Sequence, residues 1–322
     1  MDKALISYLE NELSELSFPE KPKDLYEPIR YILKLGGKRI RPVLTLLSCQ
    51  LFGGANKDAL NQALAVEVFH NFSLMHDDIM DKAPLRRGKE TVHKKWNDSV
   101  AILSGDAMLI LSYQCLARES GNHLAALLDC FNKTALDVCD GQQFDMEFEE
   151  REDVSPDEYL KMISLKTAAL LSGALELGAI QADANQDQID SIGAFGYHLG
   201  MAFQLQDDLL DAFGDPKTFG KQVGGDILAN KKTILYFSAL QSDKQELKDE
   251  LWKLFHEDKL QGEEKIKKCL SLFENMGAKD KVESLKEEHF QKANAALLSC
   301  NGNKEIEASL LSIAEALQIR VT

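Results

Sequence analysis

The apolar residues of the chain recur with the spacing of an α-helix over most of its length. Leu247, Leu251 and Leu254 fall on one face of a predicted helix after position 242. Ile266 and Phe273 repeat this spacing in the helix that follows. No long stretch shows the alternation of apolar and polar residues that is typical of strands. The pattern therefore predicts an all-α fold.

Some helix boundaries can be predicted from the sequence. Ser155, Pro156 and Glu158 provide an N-cap, a proline in the first helical position and the reciprocal partner of a capping box. Gly53 is expected to end an earlier helix, because glycine adopts the left-handed conformation of a helix cap. No linker rich in Pro, Ser or Gly divides the chain. We predict one helical domain over residues 1–322.

The same acidic pentad occurs twice, each time inside an apolar stretch. Its six aspartates are Asp77, Asp78, Asp81, Asp207, Asp208 and Asp211. Positions i, i+1 and i+4 of a helix lie within one turn, so the carboxylates of each copy repel one another. A hard cation such as Mg²⁺ relieves this repulsion, because it prefers oxygen ligands. One such pentad is more often a solvated face, but the apolar flanks and the repetition favour a cage of two or three metal ions for a polyanion such as diphosphate.

Two further polar residues lie in register with the pentads. His70 precedes Asp77 by seven residues, which places both side chains on one side of a helix. Gln204 precedes Asp208 by four residues, so the second copy repeats the arrangement. We expect the two polar stripes to form opposite walls of one cleft.

Cationic residues accompany both stripes where a diphosphate would need them. They are Lys38 and Arg41 of GGKRIRP, Arg86 and Arg87 after the first pentad, and Lys217, Lys221, Lys231 and Lys232 in a glycine-containing segment after the second. That last segment could serve as a closing lid. Lys166, beside Thr167 in an otherwise apolar helix, is explained equally well as a lysine that extends its ammonium group to solvent.

Composition and charge narrow the class of protein. The chain has 322 residues, 44% of them hydrophobic and 28% charged, and can bury a large core. Its formal net charge of −15 argues against a nucleic-acid-binding protein, because phosphate backbones demand a basic face. Six cysteines without CxxC spacing predict reduced core residues of a cytoplasmic protein. The acidic N-terminus resembles no targeting peptide, and we expect no membrane span.

Several motifs in order resemble the trans-isoprenyl diphosphate synthases, the polyprenyl synthetase family. They are GGKRIRP, HDDIMD followed by LRRG, GQQFD, LKT, FQLQDDLLD and FGKQVGGDILANKKT. The resemblance implies an isoprenoid synthase helical bundle around a deep central cavity. It also implies a homodimer with three Mg²⁺ ions per active site. The implied reaction joins isopentenyl diphosphate head-to-tail to an allylic diphosphate (dimethylallyl, geranyl or farnesyl).

The resemblance also assigns roles to individual residues. Isopentenyl diphosphate would be bound by Lys38, Arg41, His70 and Arg87. The allylic diphosphate would be contacted by Arg86, Lys166, Lys221 and Lys231. Thr167 and Gln204 would line the reacting centre, so the catalytic candidates are Lys166, Thr167, Gln204 and Lys231. The six aspartates would be the magnesium ligands.

The residues before the first pentad predict the length of the product. Phe72 and Ser73 lie one to one-and-a-half turns before Asp77, where an apolar tunnel is expected to hold the growing chain. Phe72 is the candidate floor of this tunnel, although plain core packing explains it equally. A bulky residue followed by a small one at these positions resembles the short-chain enzymes of the family. We expect a product of fifteen to twenty carbons, with geranylgeranyl diphosphate favoured over farnesyl diphosphate.

Three alternatives compete with this interpretation. A class I terpene cyclase shares the ionisation chemistry, but its second metal motif usually carries Asn, Ser and Glu instead of DDLLD. A non-catalytic subunit of a heteromeric synthase tends to lose its carboxylates, and a purely structural helical protein needs none of them. Arg320 near the C-terminus leaves open whether this end of the chain closes the site.

Overall fold

The computed structural model describes residues 3–214, 223–257 and 260–318. The chain is 78% helical. Within the described residues, the only strands form one antiparallel hairpin, β1 (Leu85–Arg86) and β2 (Lys89–Glu90), in which Leu85 lies opposite Glu90. The predicted all-α fold is therefore confirmed.

The helices of the described residues follow one another closely along the chain. In order they are α1 (Lys3–Ser14), α2 (Lys23–Lys34), α3 (Ile40–Leu51), α4 (Leu60–Met80), α5 (Val92–Lys95), α6 (Asp98–Ala117), α7 (Leu124–Glu150), α8 (Pro156–Ile163), α9 (Ala169–Gln181), α10 (Gln186–Phe213), α11 (Gly225–Leu228), α12 (Ile234–Leu240), α13 (Gln245–His256), α14 (Gly262–Asn275), α15 (Ala278–Ser299) and α16 (Lys304–Gln318). A 3₁₀ turn at Gly121–His123 precedes α7, and a π-helical turn at Ser164–Ala168 joins α8 to α9.

The chain divides into two compact units. The first unit comprises Met1–Thr134, Gly173–Gly193 and Ser299–Leu310. The second unit comprises Ala135–Ser172, Ala194–Leu298 and Leu311–Thr322. Each unit is described below by itself, and a single domain over residues 1–322 stays a prediction.

The core of the first unit lies where α2, α4 and α6 pack against one another. Its buried side chains include Ile29, Ile32, Val68, Met75, Ala101 and Met108. These residues recur at helical spacing on each of the three helices, so their burial follows from the apolar periodicity of the sequence. This core supports the C-terminal half of α4, which carries the first acidic pentad.

The core of the second unit surrounds the C-terminal half of α10, which carries the second pentad. Met201, Leu205 and Leu209 of α10 are buried together with side chains of α12, α13 and α14. The two helices predicted after position 242 are confirmed as α13 and α14. Leu251 and Leu254 of α13 and Phe273 of α14 are buried on the predicted faces.

The predicted helix boundaries are confirmed at both positions. The Ser155 hydroxyl accepts a hydrogen bond from the Glu158 amide at 3.2 Å, and the Glu158 carboxylate accepts one from the Ser155 amide at 2.9 Å. Helix α3 ends at Leu51, and Gly53 has a φ of 94°. Cys130 is only half-buried, and Cys139 departs most clearly from the expected core placement, because it is exposed. It lies on the outer face of α7, where helical spacing alone does not distinguish a small apolar side chain from a core one.

Within the part of the chain that the structure describes, two helical stretches are long and apolar enough to cross a membrane, Asp98–Ala117 and Pro156–Gln181. The second is 72% buried, as is usual for a core helix of a folded protein. The first is only 39% buried, so α6 leaves part of its apolar surface exposed. Core helices pass the same test of length and composition, and the absence of a membrane span stays a prediction.

Candidate active site

The first pentad forms the C-terminal turn of α4. Asp81 is the C-cap residue, and its amide donates a hydrogen bond to the Asp77 carbonyl at 2.9 Å, so both residues belong to one turn. The unpaired carbonyls of a helix C-terminus carry a partial negative charge. Carboxylates placed there repel that charge as well as each other. This concentration of negative charge favours the binding of a cation at the turn.

The middle aspartate of this pentad is buried against an arginine. Asp78 is 2% exposed, and its two carboxylate oxygens accept hydrogen bonds from Arg86 Nε at 2.9 and 2.8 Å. A third contact joins Arg86 Nη2 to Asp78 at 2.7 Å. The same nitrogen lies 4.0 Å from the Asp77 carboxylate. The β1–β2 hairpin thus places Arg86, a predicted diphosphate ligand, directly beside the first pentad.

The second pentad has the same pattern of burial but different partners. Asp208 is 4% exposed and accepts hydrogen bonds from the Tyr159 hydroxyl at 2.7 Å and from Gln204 Nε2 at 3.0 Å. Thr167 donates to the Gln204 carbonyl oxygen at 3.1 Å, which brings two predicted catalytic residues into one network. Burial raises the pKa of Asp208 to about 7, although the hydrogen bonds from Tyr159 and Gln204 favour its ionised form. Burial, together with the nearby Asp208 carboxylate, raises the pKa of Tyr159 well above its ordinary value, so Tyr159 remains a donor.

The last aspartate of the second pentad, Asp211, accepts hydrogen bonds from two backbone amides that follow it in the chain. Asp211 Oδ1 accepts a hydrogen bond from the Asp226 amide at 3.0 Å, and the Asp211 carbonyl accepts one from the Gly224 amide at 2.6 Å. Gly224 has a φ of 80°, which an L-residue rarely adopts. A side chain on Gly225 would lie 3.3 Å from the Asp211 carboxylate. The second pentad is thus approached closely by backbone.

An arginine and a histidine in the first unit form the centre of a cationic site. Arg41 Nη1 lies 3.2 Å from His70 Nε2, so the imidazole accepts this hydrogen bond in its neutral form. Burial and the guanidinium groups of Arg41 and Arg87 lower the pKa of His70 well below its ordinary value. Burial also lowers the pKa of Arg41 to about 10. The buried Nε of Arg41 makes no hydrogen bond within the described residues.

The remaining predicted ligands of this site lie on its more exposed side. Arg87 Nη1 donates a hydrogen bond to the Gly36 carbonyl. Burial lowers the pKa of Arg87, and the neighbouring arginines lower it further. Lys38 is exposed. Because Arg87 and its neighbouring arginines are close enough to lower one another's pKa, an anion would relieve their repulsion.

The arginine in the middle of GGKRIRP is not available to a ligand. Arg39 is 3% exposed and donates hydrogen bonds to Glu10 Oε1 at 2.6 Å and to Glu67 Oε1 at 2.5 Å. Glu67 is itself buried and also accepts a hydrogen bond from Asn71 at 2.9 Å. Arg39 caps α3 in the left-handed conformation, with a φ of 48°. This buried ion pair fixes the loop that presents Lys38 and the helix that presents Arg41.

In the second unit, Asp145 forms ion pairs with both predicted catalytic lysines. Lys166 Nζ lies 2.6 Å from Asp145 Oδ2, and Lys231 Nζ lies 3.6 Å from Asp145 Oδ1. Burial opposes ionisation of Asp145, but the ammonium groups of Lys231 and Lys166 outweigh it and lower the pKa of Asp145. Lys166 is therefore not a lysine that merely extends to solvent. Asp145 and Lys231 also line a cavity of about 360 Å³.

Local helix geometry explains how Lys166 reaches Asp145. Lys166 and Thr167 lie in the π-helical turn between α8 and α9, a distortion that is frequent at functional sites. A side chain on Gly141 would lie 2.2 Å from the Lys166 amide nitrogen, so only glycine permits this approach of α7. Asp145 follows Gly141 by one turn. The GQQFD motif therefore combines a close backbone contact with a carboxylate.

The two residues predicted to set product length lie on α4 before the pentad. Phe72 is half-buried, and its ring lies 5.5 Å from that of Phe69. The Ser73 hydroxyl donates a hydrogen bond to the His70 carbonyl at 2.9 Å. Ser73 lies four residues before Asp77 and shares its face of α4, whereas Phe72, five residues before it, shares a face with Phe69 and His76.

The donor set around the pentads suits Mg²⁺, because it consists of carboxylate oxygens without sulfur ligands. Among the residues that the structure describes, no group of three or more His, Cys, Asp or Glu side chains is gathered closely enough to hold a metal ion. The oxygens of Asp78 and Asp208 are engaged by protein donors, as described above. Lys221, the neighbouring Lys217 and Arg320 lie outside the described residues.

Sequence reasoning did not identify four residues of these clusters as functional. The sequence indicated Asp145 only as the last residue of the GQQFD motif, with no role of its own. The spacing of Tyr159 was that of a core residue. Arg39 and Glu67 form a buried ion pair whose partners are 28 residues apart in the chain. No local pattern distinguishes such a pair from a substrate-binding cation and a surface acid.

Comparison with known proteins agrees with this description. Residues 22–273 match the family profile described as polyprenyl synthetase. A short chain isoprenyl diphosphate synthase from Methanocaldococcus jannaschii is 38% identical over 272 residues, which cover 84% of this chain and 82% of that protein. A geranylgeranyl diphosphate synthase from Sulfolobus acidocaldarius is 35% identical over 300 residues, with 92% and 90% covered.

Solved structures give the same result for the fold. A crystal structure of a geranylgeranyl pyrophosphate synthase superposes with a TM-score of 0.93 at 45% identity and covers 99% of each chain. The geranylgeranyl pyrophosphate synthetase from Pyrococcus horikoshii Ot3 superposes with a TM-score of 0.91 at 34% identity, over 99% of this chain and 97% of that one. The chain therefore belongs to the polyprenyl synthetase family, as an all-α enzyme of the trans-prenyl diphosphate synthase type that its ordered motifs predicted.

Proposed function

We propose that this protein condenses isopentenyl diphosphate with an allylic diphosphate, in a magnesium-dependent reaction, to give a product of fifteen to twenty carbons. The observation that carries the proposal is the Arg41–His70 pair, a buried cation beside a neutral imidazole in a cluster of arginines. Such a cluster suits a diphosphate. A class I terpene cyclase ionises one diphosphate substrate and does not need this second anion site.

In the first unit, we propose that Arg41, Lys38, Arg87 and His70 bind isopentenyl diphosphate. The guanidinium groups offer paired donors to phosphate oxygens, and Lys38 adds a mobile charge. Neutral His70 orients Arg41 by accepting one of its hydrogen bonds, which leaves the other donors of Arg41 for the substrate. The Arg39–Glu67 ion pair holds this group in place without contacting the substrate.

In the second unit, we propose that Lys166 and Lys231 contact the diphosphate of the allylic substrate, with Lys221 as a further ligand. Asp145 pairs with both ammonium groups and, together with Lys231, lines a cavity, so the two lysines are oriented before the substrate arrives. Preorganised charges of this kind stabilise the negative charge that develops on a leaving group. The geranylgeranyl and geranylfarnesyl synthases among the relatives are consistent with this substrate class.

The reaction breaks the bond between the allylic carbon and the diphosphate oxygen. The allylic cation then forms a carbon–carbon bond with the double bond of isopentenyl diphosphate, and a proton leaves to form the new double bond. The departing diphosphate can accept that proton. Thr167 and Gln204 lie beside the second pentad, where their dipoles can face the developing cation. Water must be excluded from this centre, because it would capture the cation.

Polyprenyl synthetases generally depend on magnesium, and we propose three Mg²⁺ ions per active site. When bound, the ions would neutralise the diphosphate as its negative charge develops. We propose Asp77 and Asp81 in the first unit and Asp207 and Asp211 in the second as direct ligands. Asp78 and Asp208 are 2% and 4% exposed, and both carboxylate oxygens of each accept hydrogen bonds from side chains. We therefore assign them the additional task of holding Arg86 and the Tyr159–Gln204 pair.

Product length is proposed to depend on Phe72. Its half-buried ring lies on α4 one turn before Asp77, where it can block the growth of a chain that extends along the helix. Ser73 leaves space beside it. We propose geranylgeranyl diphosphate as the main product, with farnesyl diphosphate as the shorter alternative.

The protein is proposed to act in the cytoplasm as a homodimer. Helix α6 exposes Ile102, Leu103 and Ile110 with relative accessibilities of 47%, 59% and 62%, and Leu103 and Ile110 share one face. A contiguous apolar face of this kind is usually covered by a partner. Replacing Leu103 and Ile110 together with Glu should give a monomer in sedimentation experiments. Leu298→Glu, at a residue 52% exposed on α15, is the matched control and should leave the assembly unchanged.

The decisive test is the incorporation of labelled isopentenyl diphosphate with Mg²⁺ present or chelated, followed by chromatography of the dephosphorylated products. Primers of five, ten and fifteen carbons should each be extended, and chelation should abolish the reaction. A terpene cyclase would consume the primer without incorporating label. A non-catalytic subunit would consume neither substrate, and either result would overturn the proposal.

A further inference from the structure

His76, the residue before the first pentad, occupies a space that is open because residue 105 is glycine. His76 lies at the point where α4 packs along α6. A side chain on Gly105 of α6 would lie 2.2 Å from His76 Nε2 and 2.5 Å from its Cδ2, far inside the limit for atoms in contact. The His76 ring therefore reaches the α6 backbone only because residue 105 has no side chain.

The ring of His76 is also fixed in orientation. His76 Nε2 lies 3.1 Å from the Ile102 carbonyl oxygen. Because a carbonyl oxygen only accepts hydrogen bonds, Nε2 carries the proton and donates it. Asp106 lies beside the same nitrogen, at 4.0 Å. The ring is thus held by the surface of α6 on one side and by a backbone hydrogen bond at its end.

His76 in turn holds Phe72, which lies one turn earlier on α4. The two ring centroids are 4.8 Å apart with an interplanar angle of 66°, an edge-to-face contact. On its other side Phe72 contacts Phe69, at 5.5 Å between centroids. Phe69 is 1% exposed and is fixed by an edge-to-face contact with Phe131. Phe72 therefore stands between the rings of Phe69 and His76, each of which is held by further contacts.

We propose that His76 is a positioning residue for chain length: seated on Gly105, it holds the Phe72 ring in the orientation that stops elongation. The inference rests on the proposed function, in which Phe72 blocks the growing prenyl chain. It adds a residue that does not touch the blocked chain. Gly105 and the Ile102 carbonyl are the parts of α6 that make the arrangement possible.

His76→Ala removes one of the two rings that confine Phe72. Phe72 can then rotate into the vacated space. The share of products one isoprene unit longer should rise by roughly two- to tenfold, the factor that corresponds to a rotamer preference. Total consumption of isopentenyl diphosphate should change much less than the distribution. The control is His93→Ala, which removes a buried histidine of the first unit that makes no ring contact with Phe72 among the described residues and should not alter product length.

Comparison with Phe72→Ala separates failure of the inference from failure of the proposed function. If Phe72→Ala and His76→Ala both lengthen the product, and the double variant matches Phe72→Ala alone, the inference is supported. If only Phe72→Ala lengthens the product, the floor stands and the role of His76 is overturned. If Phe72→Ala leaves the distribution unchanged, the proposed floor fails. Lengthening by His76→Ala in that case would show that His76 does not act through Phe72, which also overturns the inference.

Gly105→Ala tests the same contact from α6. The added methyl group forces the His76 ring out of its place and against Phe72, so the distribution should change. In the double variant Gly105→Ala/His76→Ala the methyl group meets no ring, and the distribution should return to that of His76→Ala. A distribution of the double variant that differs from that of His76→Ala would contradict the proposed contact. Thermal unfolding of each variant identifies effects that arise from misfolding alone.

Discussion

The two acidic pentads share a sequence pattern but meet different neighbours. In the first unit the buried middle residue, Asp78, is held by the cationic side chain of Arg86. In the second unit the equivalent Asp208 is held by two neutral donors, Tyr159 and Gln204. Burial raises the pKa of Asp208 to about 7, and the hydrogen bonds from Tyr159 and Gln204 offset only part of the lost hydration. The same three carboxylates thus acquire different electrostatics from residues outside the motif.

The largest expected effect is a loss of turnover when an outer aspartate of either pentad is removed. It follows if these aspartates have the same task in both pentads. Asp77→Ala and Asp207→Ala should each lower turnover by roughly 10²–10³-fold, the loss expected for one preorganised charge contact at a reacting centre. Initial rates at saturating Mg²⁺ measure this. Asp280→Ala, at an exposed position of α15, is the control and should have no effect. Near-normal turnover for either variant would show that the pentads differ in function as well as in environment.

The cationic partner of the first pentad should matter more for stability than the neutral partners of the second. Arg86→Leu leaves the buried Asp78 carboxylate without its counter-ion and should lower the free energy of unfolding by about 3 kcal/mol. Adding Asp78→Asn should recover part of this loss. Urea denaturation measures both, with the exposed Arg118→Leu as control. A loss no larger than that of the control would mean that the ion pair is not what holds Asp78.

The neutral network should give a smaller change. Tyr159→Phe removes one uncharged donor from Asp208 and should lower the free energy of unfolding by about 1 kcal/mol. The Phe side chain keeps the packing of the ring against Phe237. Tyr197→Phe, at a residue 37% exposed on α10, provides the control. If Tyr159→Phe is as damaging as Arg86→Leu, the contrast between the two pentads is wrong.

The smallest predicted effect is a pH dependence of the second unit. Burial, followed by the nearby charges of His198 and Lys292, lowers the pKa of His289 to about 4. At this site the unfolded chain then binds more protons than the folded one between about pH 6.5 and 4, so the contribution of His289 to stability falls as the pH falls through this window. The raised pKa of Asp208 acts in the opposite direction, because its buried carboxyl group keeps its proton up to about pH 7. The effect of His289 should be about 1 kcal/mol after solvent screening. His198 Nδ1 lies 3.0 Å from His289 Nδ1, which explains why a second charge is disfavoured there.

His289→Gln should raise the melting temperature at pH 4.5 relative to that at pH 7, compared with the same difference in the wild type. His123→Gln, at a partly exposed histidine of the first unit, should not. An unchanged difference in His289→Gln would assign the acid sensitivity to other groups.

The sequence was sufficient to predict what depends on local spacing. The capping box at Ser155, the end of α3 before Gly53 and the apolar faces of α13 and α14 all follow from residues within two turns of one another. The position of each pentad on a long helix follows in the same way. These features need no knowledge of the tertiary structure.

The sequence was insufficient where a role depends on a distant partner. Tyr159 and Asp208 are 49 residues apart, and Lys166 and Asp145 are 21 residues apart. The spacing of Tyr159 is that of a core residue, and only the fold shows that its hydroxyl meets a carboxylate. Arg39 resembles its neighbours Lys38 and Arg41 in the motif, yet its guanidinium group forms a buried ion pair with Glu67. The π-helical turn that presents Lys166 has no recognisable sequence signal.

Calorimetric titration of Mg²⁺ in the presence of inorganic diphosphate tests the central claim most directly, because it measures the metal sites without requiring turnover. The wild-type protein should bind Mg²⁺ saturably, and the double variant Asp77→Ala/Asp207→Ala should not. Asp78→Asn should retain binding, since its carboxylate is engaged by Arg86. Binding by the double variant equal to that of the wild type would contradict the assignment of the outer aspartates as magnesium ligands.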